Sequence, residues 1–442
     1  MRKLPIDTLI KPIDAFIHRE NTSGLILFLS LVLSMIWVNS PYHQSYHNFW
    51  ETPVNISAGN FQLNYTLHHW INDGLMSIFF FVVGLELKRE FIGGELASPK
   101  KAILPIAAAA GGMIFPALIY LYFNQGTSAA SGWGIPMATD IAFAVGLLAF
   151  VNNRVPAGLK VFLTALAIAD DLGAVLVIAL FYTKQLSLLH LGVAVIFSFV
   201  LLSGNLLGIR KSLFYVLIGL VGIWLPMLLS GVHATIAGVI IAFLIPARTR
   251  VNEEEYVKNI RALTDEFEKE IPDPTVLLTT KQHVILQNIK EITAYAETPL
   301  QKIESALHPW VAYIIMPLFA LSNAGMSIHF DFFSNFKYSI TSGVAFGLVA
   351  GKFIGVTLTS FLLVKLKIAY LPKYVTWLHM AGAGLFAGIG FTMSLFIAGL
   401  AFTDPLMIEQ AKYGIIAAST LSALLGMFVF RLFIPPVQQL MD

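Results

Sequence analysis

Asp170 and Asp171 stand side by side in "LTALAIADDLGAVLVIAL", residues 163–180, a run that is otherwise apolar. The run has the length and composition of a membrane-spanning helix, which needs about 20 predominantly apolar residues. A carboxylate at mid-membrane depth costs at least ~3 kcal/mol on insertion scales, and two adjacent ones also repel each other. Successive helix positions point about 100° apart, so one counter-ion cannot easily neutralise both. Water in a polar cavity, or a cation, has to do so. Oxygen ligands in a chain without cysteine suit a hard cation such as sodium, lithium or a proton. Two interacting carboxylates titrate as a coupled pair. A pair able to hold either protons or a metal ion is the minimum machinery for exchanging one for the other.

Few other ionisable residues lie deep in apolar runs: Asp140 and Lys352, with Asp73 and Glu86 nearer helix ends. Asp140 follows an interrupted segment, "SGWGIPMATDIAFAVG" (131–146), in which Gly132, Gly134 and Pro136 break the helical pattern. Pro136 removes a backbone donor, and Thr139 or Asp140 is placed to cap a second half-helix. "MAGAGLFAGIGFTMS" (380–394) carries glycines at 382, 384, 388 and 390 and reads as a second broken helix, with close small-residue packing as the competing reading. Irregular backbone at membrane depth survives only where protein or a water-filled cavity surrounds it. Facing half-helices gather partial charges of both signs, so an acid steadies the N-termini and a lysine the C-termini. Asp140 and Lys352 are expected in those two roles.

The elements that must position these groups are membrane helices. Of the 442 residues 57% are hydrophobic and only 12% charged, with a mean hydropathy of +0.74. Soluble domains average about 25% charged residues. Twelve apolar runs can be marked, near 24–39, 70–87, 102–123, 135–151, 158–182, 188–207, 212–229, 232–246, 308–327, 341–366, 375–400 and 411–434. One set of alternate loops carries Arg2, Lys3, Lys11, Arg19, Lys88, Arg89, Lys100, Lys101, Arg154, Lys160, Arg210 and Lys211, then the basic residues of 248–302, Lys365, Lys367, Lys373 and Arg431. The other set holds Lys184, Lys337 and Lys412. The excess of basic residues on one side places both termini in the cytoplasm and requires an even number of spans. The exit of the first run, "VNSPYHQ", lacks a small-x-small cleavage pattern, so that run is read as a retained span. A net charge of +2 is too mild to suggest nucleic acid as a partner; membrane lipid is the expected surrounding.

Two loops have content of their own. "PVNISAGNFQLNY" alternates apolar and polar residues around Ala-Gly-Asn, either an external hairpin or an unstructured loop. The polar stretch 247–305 repeats Tyr256, Ile260, Leu263, Phe267 and Ile271 at helical spacing, with Glu254/Lys258 and Asp265/Lys269 as i,i+4 pairs. "TPLQ" at 298–301 reads as a capping box with proline at the first helical position. The chain is therefore a single transmembrane domain, 1–442, with a cytoplasmic helical insertion at 248–303. The broken spans are about the fourth and the eleventh, which match if spans three to five repeat as ten to twelve, the pattern of a secondary transporter with internal repeats.

"GLELKREFIGGEL", "IPMATDIAFAVG", "ALAIADDLGAV", "SGVHATIAGV", "LHPWVAYIIMPLFALSNAG" and "AGIGFTMSLFIAGLAF" resemble the signature blocks of the bacterial NhaA-type sodium/proton antiporters. The likeness runs from about residue 20 to 434. It implies an all-α polytopic fold of about twelve spans with inverted repeats, two discontinuous crossing helices and a short external β-hairpin. It also implies an electrogenic sodium or lithium/proton antiporter of the inner membrane that controls cytoplasmic pH and sodium, with no cofactor beyond the transported ions and a homodimer formed through the hairpin. Carried over by position, Asp170 and Asp171 bind the ion and exchange it for protons. Asp140 and Thr139 match the crossing of the unwound helices, and Lys352 the lysine beside them. Glu86, Arg89, Glu90, His233, Glu304 and His308 match positions linked to activation by alkaline pH. Read from spacing alone, Glu86, Arg89 and Glu90 share a helix face, which a purely structural ion cluster would show equally. One departure from the family pattern is Ser305, where a second histidine is usual; together with the insertion, expected to pack near Glu86–Glu90, it bears on the pH profile. A sodium-coupled solute symporter of similar fold is the alternative, and it would need a larger polar pocket. An intramembrane aspartyl protease needs a Gly-x-Gly-Asp element, whereas these acids sit in "MATD" and "AIADD".

Overall fold

The computed structural model describes residues 20–59, 61–183, 186–249, 251–270, 278–327 and 339–436. The basic residues before position 20, Lys184, Lys337 and Ile271 lie outside them. In chain order the helices are α1 (Glu20–Val38), α2 (His43–Trp50), α3 (Leu67–Gly93), α4 (Pro99–Asn124), α5 (Ser128–Arg154), α6 (Ala157–Phe181), α7 (Leu188–Leu206), α8 (Ser212–Ser230) and α9 (Ala234–Leu244). They continue with α10 (Glu253–Lys269), α11 (Thr280–Ala296), α12 (Pro299–Asn323), α13 (Ser339–Lys365), α14 (Trp377–Ala387), α15 (Phe391–Ala401) and α16 (Pro405–Phe433).

Among the described residues, nine of these helices are long and apolar enough to cross a membrane, and the bent pairs α1–α2 and α14–α15, each taken as one span, bring the number to eleven. The remaining expected span, at 232–246, differs. α9 has only 11 residues, short of a full crossing. Gly231, at φ 83°, turns the chain sharply just before it, and the helix ends in extended backbone at Ile245. α9 makes up for its length by packing tightly along α3. A Cβ on Gly238 would meet the Phe81 amide nitrogen at 2.9 Å, so only glycine allows this approach. Lys88 of α3 then caps the far end of α9, its Nζ donating to the carbonyls of Phe243 (2.6 Å) and Ile245.

The hairpin is formed. β1 (Pro53–Ala58) pairs antiparallel with β2 (Phe61–Thr66), and Ala58 opposes Phe61 across a turn in which Gly59 takes φ 60°. In the long polar stretch α10 and α11 fold as an antiparallel pair closed by Tyr256 Oη and Thr293 Oγ1 at 3.4 Å and by Lys281–Glu270 at 3.0 Å. Neither expected i,i+4 ion pair of α10 closes among the described residues. α12 begins at the expected proline, with Thr298 Oγ1 accepting from Gln301 N at 3.1 Å; the reciprocal half of the capping box is replaced by a bond between the two side chains, 2.9 Å.

Two triplets, α4–α6 and α13–α16, each have a broken middle member: α5, and the bent pair α14–α15, which turns 44° at its break. Their contacts explain why α6 is mostly interior while α7 faces outward, with 61% and 17% of their apolar windows buried. Aromatic rings knit the triplets to the rest. Phe396 of α15 receives Phe80 of α3 at 5.5 Å and Phe319 of α12 at 6.1 Å, and Phe386 stacks on Phe430 at 5.5 Å.

Candidate ion-exchange site

α6 puts Asp170 and Asp171 at its middle, each 1% exposed. The adjacent positions do face different partners, as helical geometry requires. Asp170 Oδ2 forms an ion pair with Lys352 Nζ, both side chains being fully buried. Asp170 Oδ1 and both oxygens of Asp171 are buried without a protein hydrogen-bond partner. Buried polar oxygens are nearly always satisfied, so three such oxygens on neighbouring residues mark this as the candidate site. The surrounding charge agrees. Asp171 lies within electrostatic reach of Asp170, Asp140 and Glu86 and of one ammonium, that of Lys352. Negative charge is in surplus, which favours a cation.

Asp140 sits where α5 breaks. The first half of α5 is 3-10 helix, Ser128–Met137, and the second is α-helix, Ile141–Leu148, with Thr139 and Asp140 extended between them. Asp140 Oδ1 accepts from Phe143 N (3.0 Å) in the first turn of that second half. Its Oδ2 accepts from Thr392 N (3.1 Å) and Thr392 Oγ1 (2.5 Å) in the first turn of α15. One carboxylate thus caps the N-termini of two half-helices. Anionic caps are stabilising there because N-terminal amide groups carry partial positive charge. The expectation for Asp140 holds.

The expectation for Lys352 does not. The carbonyls at the C-terminal ends are taken by other donors: Thr139 Oγ1 donates to Ala387 O (2.9 Å), Asp140 N to Ile389 O (2.6 Å) and Ser394 Oγ to Ile135 O (2.8 Å). Lys352 follows a π-helical turn, Gly347–Gly351, and its ammonium goes to Asp170 instead. A full carboxylate charge outcompetes carbonyl dipoles already satisfied by hydroxyl and amide donors. Thr139 lies near Asp170 as well as bonding Ala387.

A second cluster forms between α3 and α12. Arg89 Nη1 pairs with Glu304 Oε1 and Arg89 Nη2 with Glu90 Oε1 at 3.5 Å, while Glu86 and His308 lie within electrostatic reach of Glu304. His233 is elsewhere, at the start of α9, with Nε2 against the Tyr182 carbonyl at 3.1 Å. The sequence candidates therefore divide: five assemble and His233 stands apart. α12 packs against α3 here, and both ends of the insertion reach the cluster, Arg248, Thr249, Thr298 and Leu300 lining one cavity with Arg89. A cavity of about 480 Å³ adjoins both α3 and α6, its lining including Glu90, Glu95, Lys101, Lys160, Thr164 and Ala165. Thr164 lies two helical turns before Asp171 on α6. Among the described residues no three of His, Asp and Glu converge as metal ligands.

Sequence reasoning missed Thr392, Tyr120 and Tyr182. Thr392 carries a weak signal, since it opens an apolar half-helix directly after Gly388 and Gly390.

Residues 14–430 match the model of a family described as Na+/H+ antiporter 1. The chain is 50% identical over 429 residues to a Na(+)/H(+) antiporter NhaA of Oleidesulfovibrio alaskensis, covering 97% of this chain and 95% of that protein. It is 48% identical over 422 residues to one of Acidithiobacillus ferrooxidans (95% and 97%) and 46% identical over 433 residues to one of Koribacter versatilis (97% and 93%).

Proposed function

This chain belongs to the Na+/H+ antiporter 1 family and is a multi-pass membrane protein that exchanges sodium for protons, and we propose that Asp170 and Asp171 carry both ions in turn. The observation that carries this reading is the set of three buried carboxylate oxygens without a protein partner. Sodium binds after protons leave, so sodium affinity depends on pH and binding releases protons. Lys352 holds Asp170 while the site is closed to sodium and must release it for that carboxylate to share in coordination. Asp140 and Thr139 keep the two broken helices crossed beside the pair. Two carboxylates serving one monovalent cation favour more than one proton per sodium, which makes the exchange electrogenic. Lithium, of the same charge and a similar preference for oxygen, fits the same oxygens.

Purified protein in proteoliposomes tests this. On adding sodium chloride without any organic solute, protons should appear on the side the sodium enters from, and each obligatory proton should lower the KM for sodium about tenfold per unit rise in pH within the range where the pair is protonated. A solute requirement would replace antiport by symport. A KM independent of pH would refute shared carboxylates.

The basic loops at Lys88–Lys101, Arg154–Lys160 and Arg210–Lys211 support an orientation with both termini cytoplasmic. On the opposite side the hairpin turns Val54 (37% exposed) and Ile56 (49%) outward, which supports pairing of two copies through it. Cysteine scanning from each face, with crosslinking at Ile56→Cys, checks both; labelling of the hairpin from the cytoplasmic face would reverse the orientation, and absence of a crosslinked dimer would remove the pairing.

A further inference from the structure

Tyr120 of α4 and Tyr182, at the end of α6, reach one short stretch of backbone from two sides. Tyr120 Oη donates to the Ala129 carbonyl and Tyr182 Oη to the Ser131 carbonyl, each at 2.8 Å, and Tyr182 Oη also accepts from Gly134 N at 3.3 Å. Their common target is the 3-10 half of α5. That half runs for 10 residues, whereas 3-10 helices longer than 3–4 residues are uncommon because their hydrogen bonds are poorly aligned. It needs support from outside. The sequence is thinned to admit it: a Cβ on Gly132 would meet Tyr120 Oη and the Phe402 ring at 2.5 Å, and one on Gly134 would meet Tyr182 Oη at 2.7 Å. Both tyrosines are buried. The supported stretch leads within a few residues to Thr139 and Asp140.

We infer that Tyr120 and Tyr182 are positioning residues for the exchange, holding the 3-10 half of α5 so that the end of the bundle opposite the Glu90–Glu95 cavity stays closed. The inference rests on the antiport reading and its orientation, since an antiporter has to open each end in turn. Opening the external end must break the bonds to Ala129 and Ser131. Each net hydrogen bond biases such an equilibrium several-fold. Neither hydroxyl touches the aspartate pair, so its loss moves the balance of conformers and leaves the ion-binding groups in place.

The chain has no cysteine, so a single introduced one reports cleanly. Ile135→Cys lies between the tyrosine contacts and Asp140 and is 0% exposed; Ser128→Cys, exposed at the start of the 3-10 half, is the control. In vesicles, labelling of Ile135→Cys by an impermeant methanethiosulfonate from the external face should quicken several-fold with Tyr182→Phe and further with Tyr120→Phe added. Ser128→Cys should label alike in all backgrounds. Gly134→Ala, which displaces the Tyr182 hydroxyl by bulk, should act like Tyr182→Phe. The external KM for sodium should fall while the cytoplasmic KM rises. Unchanged Ile135→Cys labelling overturns the inference. So does faster labelling accompanied by a lower melting temperature and equal loss of rate in both directions, because that is loosened packing. Labelling reports on the helix whether or not the vesicles exchange ions, so a failure of the antiport reading shows separately.

Discussion

Two carboxylate clusters, one on α6 and one between α3 and α12, are built in different ways. At the α6 site a single ammonium serves one of two adjacent aspartates and leaves three oxygens without protein partners. At the α3–α12 cluster one guanidinium reaches both Glu90 and Glu304, Glu90 Oε2 takes the Glu95 amide at 3.1 Å, and of these two glutamates only Glu304 Oε2 is buried without a protein partner. The first arrangement leaves three carboxylate oxygens open, with the fourth held by Lys352. The second has Glu90 and Glu304 engaged with a cation that belongs to the protein. A cluster tied across two helices in this way can respond to pH by loosening the contact between α3 and α12.

The sharpest way to break this contrast is at the aspartates. Asp171→Asn and Asp170→Asn should each lower the exchange rate by more than about 100-fold, ~2.7 kcal/mol in transport barrier, while the protein still inserts and folds. Sodium-dependent proton release in proteoliposomes measures it, and normal turnover in both would move the cargo site elsewhere. Lys352 comes next. Removing one partner of a buried pair leaves an uncompensated charge, at a cost of about 3 kcal/mol, so Lys352→Ala should lower the melting temperature and Lys352→Arg should recover much of it. If the lysine proton is itself carried, arginine will change the charge moved per sodium, because guanidinium does not deprotonate in proteins; solid-supported membrane currents separate the roles. The smallest effect belongs to the other cluster. Its Arg89 side chain is 45% exposed, which limits the pair with Glu304 to about 1 kcal/mol. Glu304→Gln should therefore shift the pH dependence of the maximal rate and leave the sodium KM within about twofold, ~0.4 kcal/mol. A tenfold change in KM would show that both clusters hold cargo and erase the distinction.

Much of this was legible in the residue order, and for local reasons. Hydropathy and loop charge mark the spans because each is a property of contiguous residues. Asp170 and Asp171 announce themselves by the cost of adjacency, and the breaks by Gly132, Gly134 and Pro136 and by the glycines of 382–390. What stayed hidden depends on residues far apart in the chain. That Lys352 would choose Asp170 over helix carbonyls follows from Thr139 and Ser394 having reached those carbonyls first. Thr392 as the second anchor of Asp140, and the tyrosines against the 3-10 half of α5, depend in the same way on which faces meet once the triplets are packed. The short α9 was missed because an apolar run is only an upper bound on helix length.

The double cap at Asp140 has a mechanical consequence. A hinge has its two leaves free about a shared pin; a rivet clamps them. With one oxygen fastened to the second half of α5 and the other to α15 by two donors, Asp140 is a rivet through both repeats. Turning one leaf against the other would shear a bond from one oxygen or the other, so the crossing travels as a single piece. Whatever swings must be jointed outside it, in the 3-10 half of α5 on one side and in the π-helical turn ahead of Lys352 on the other.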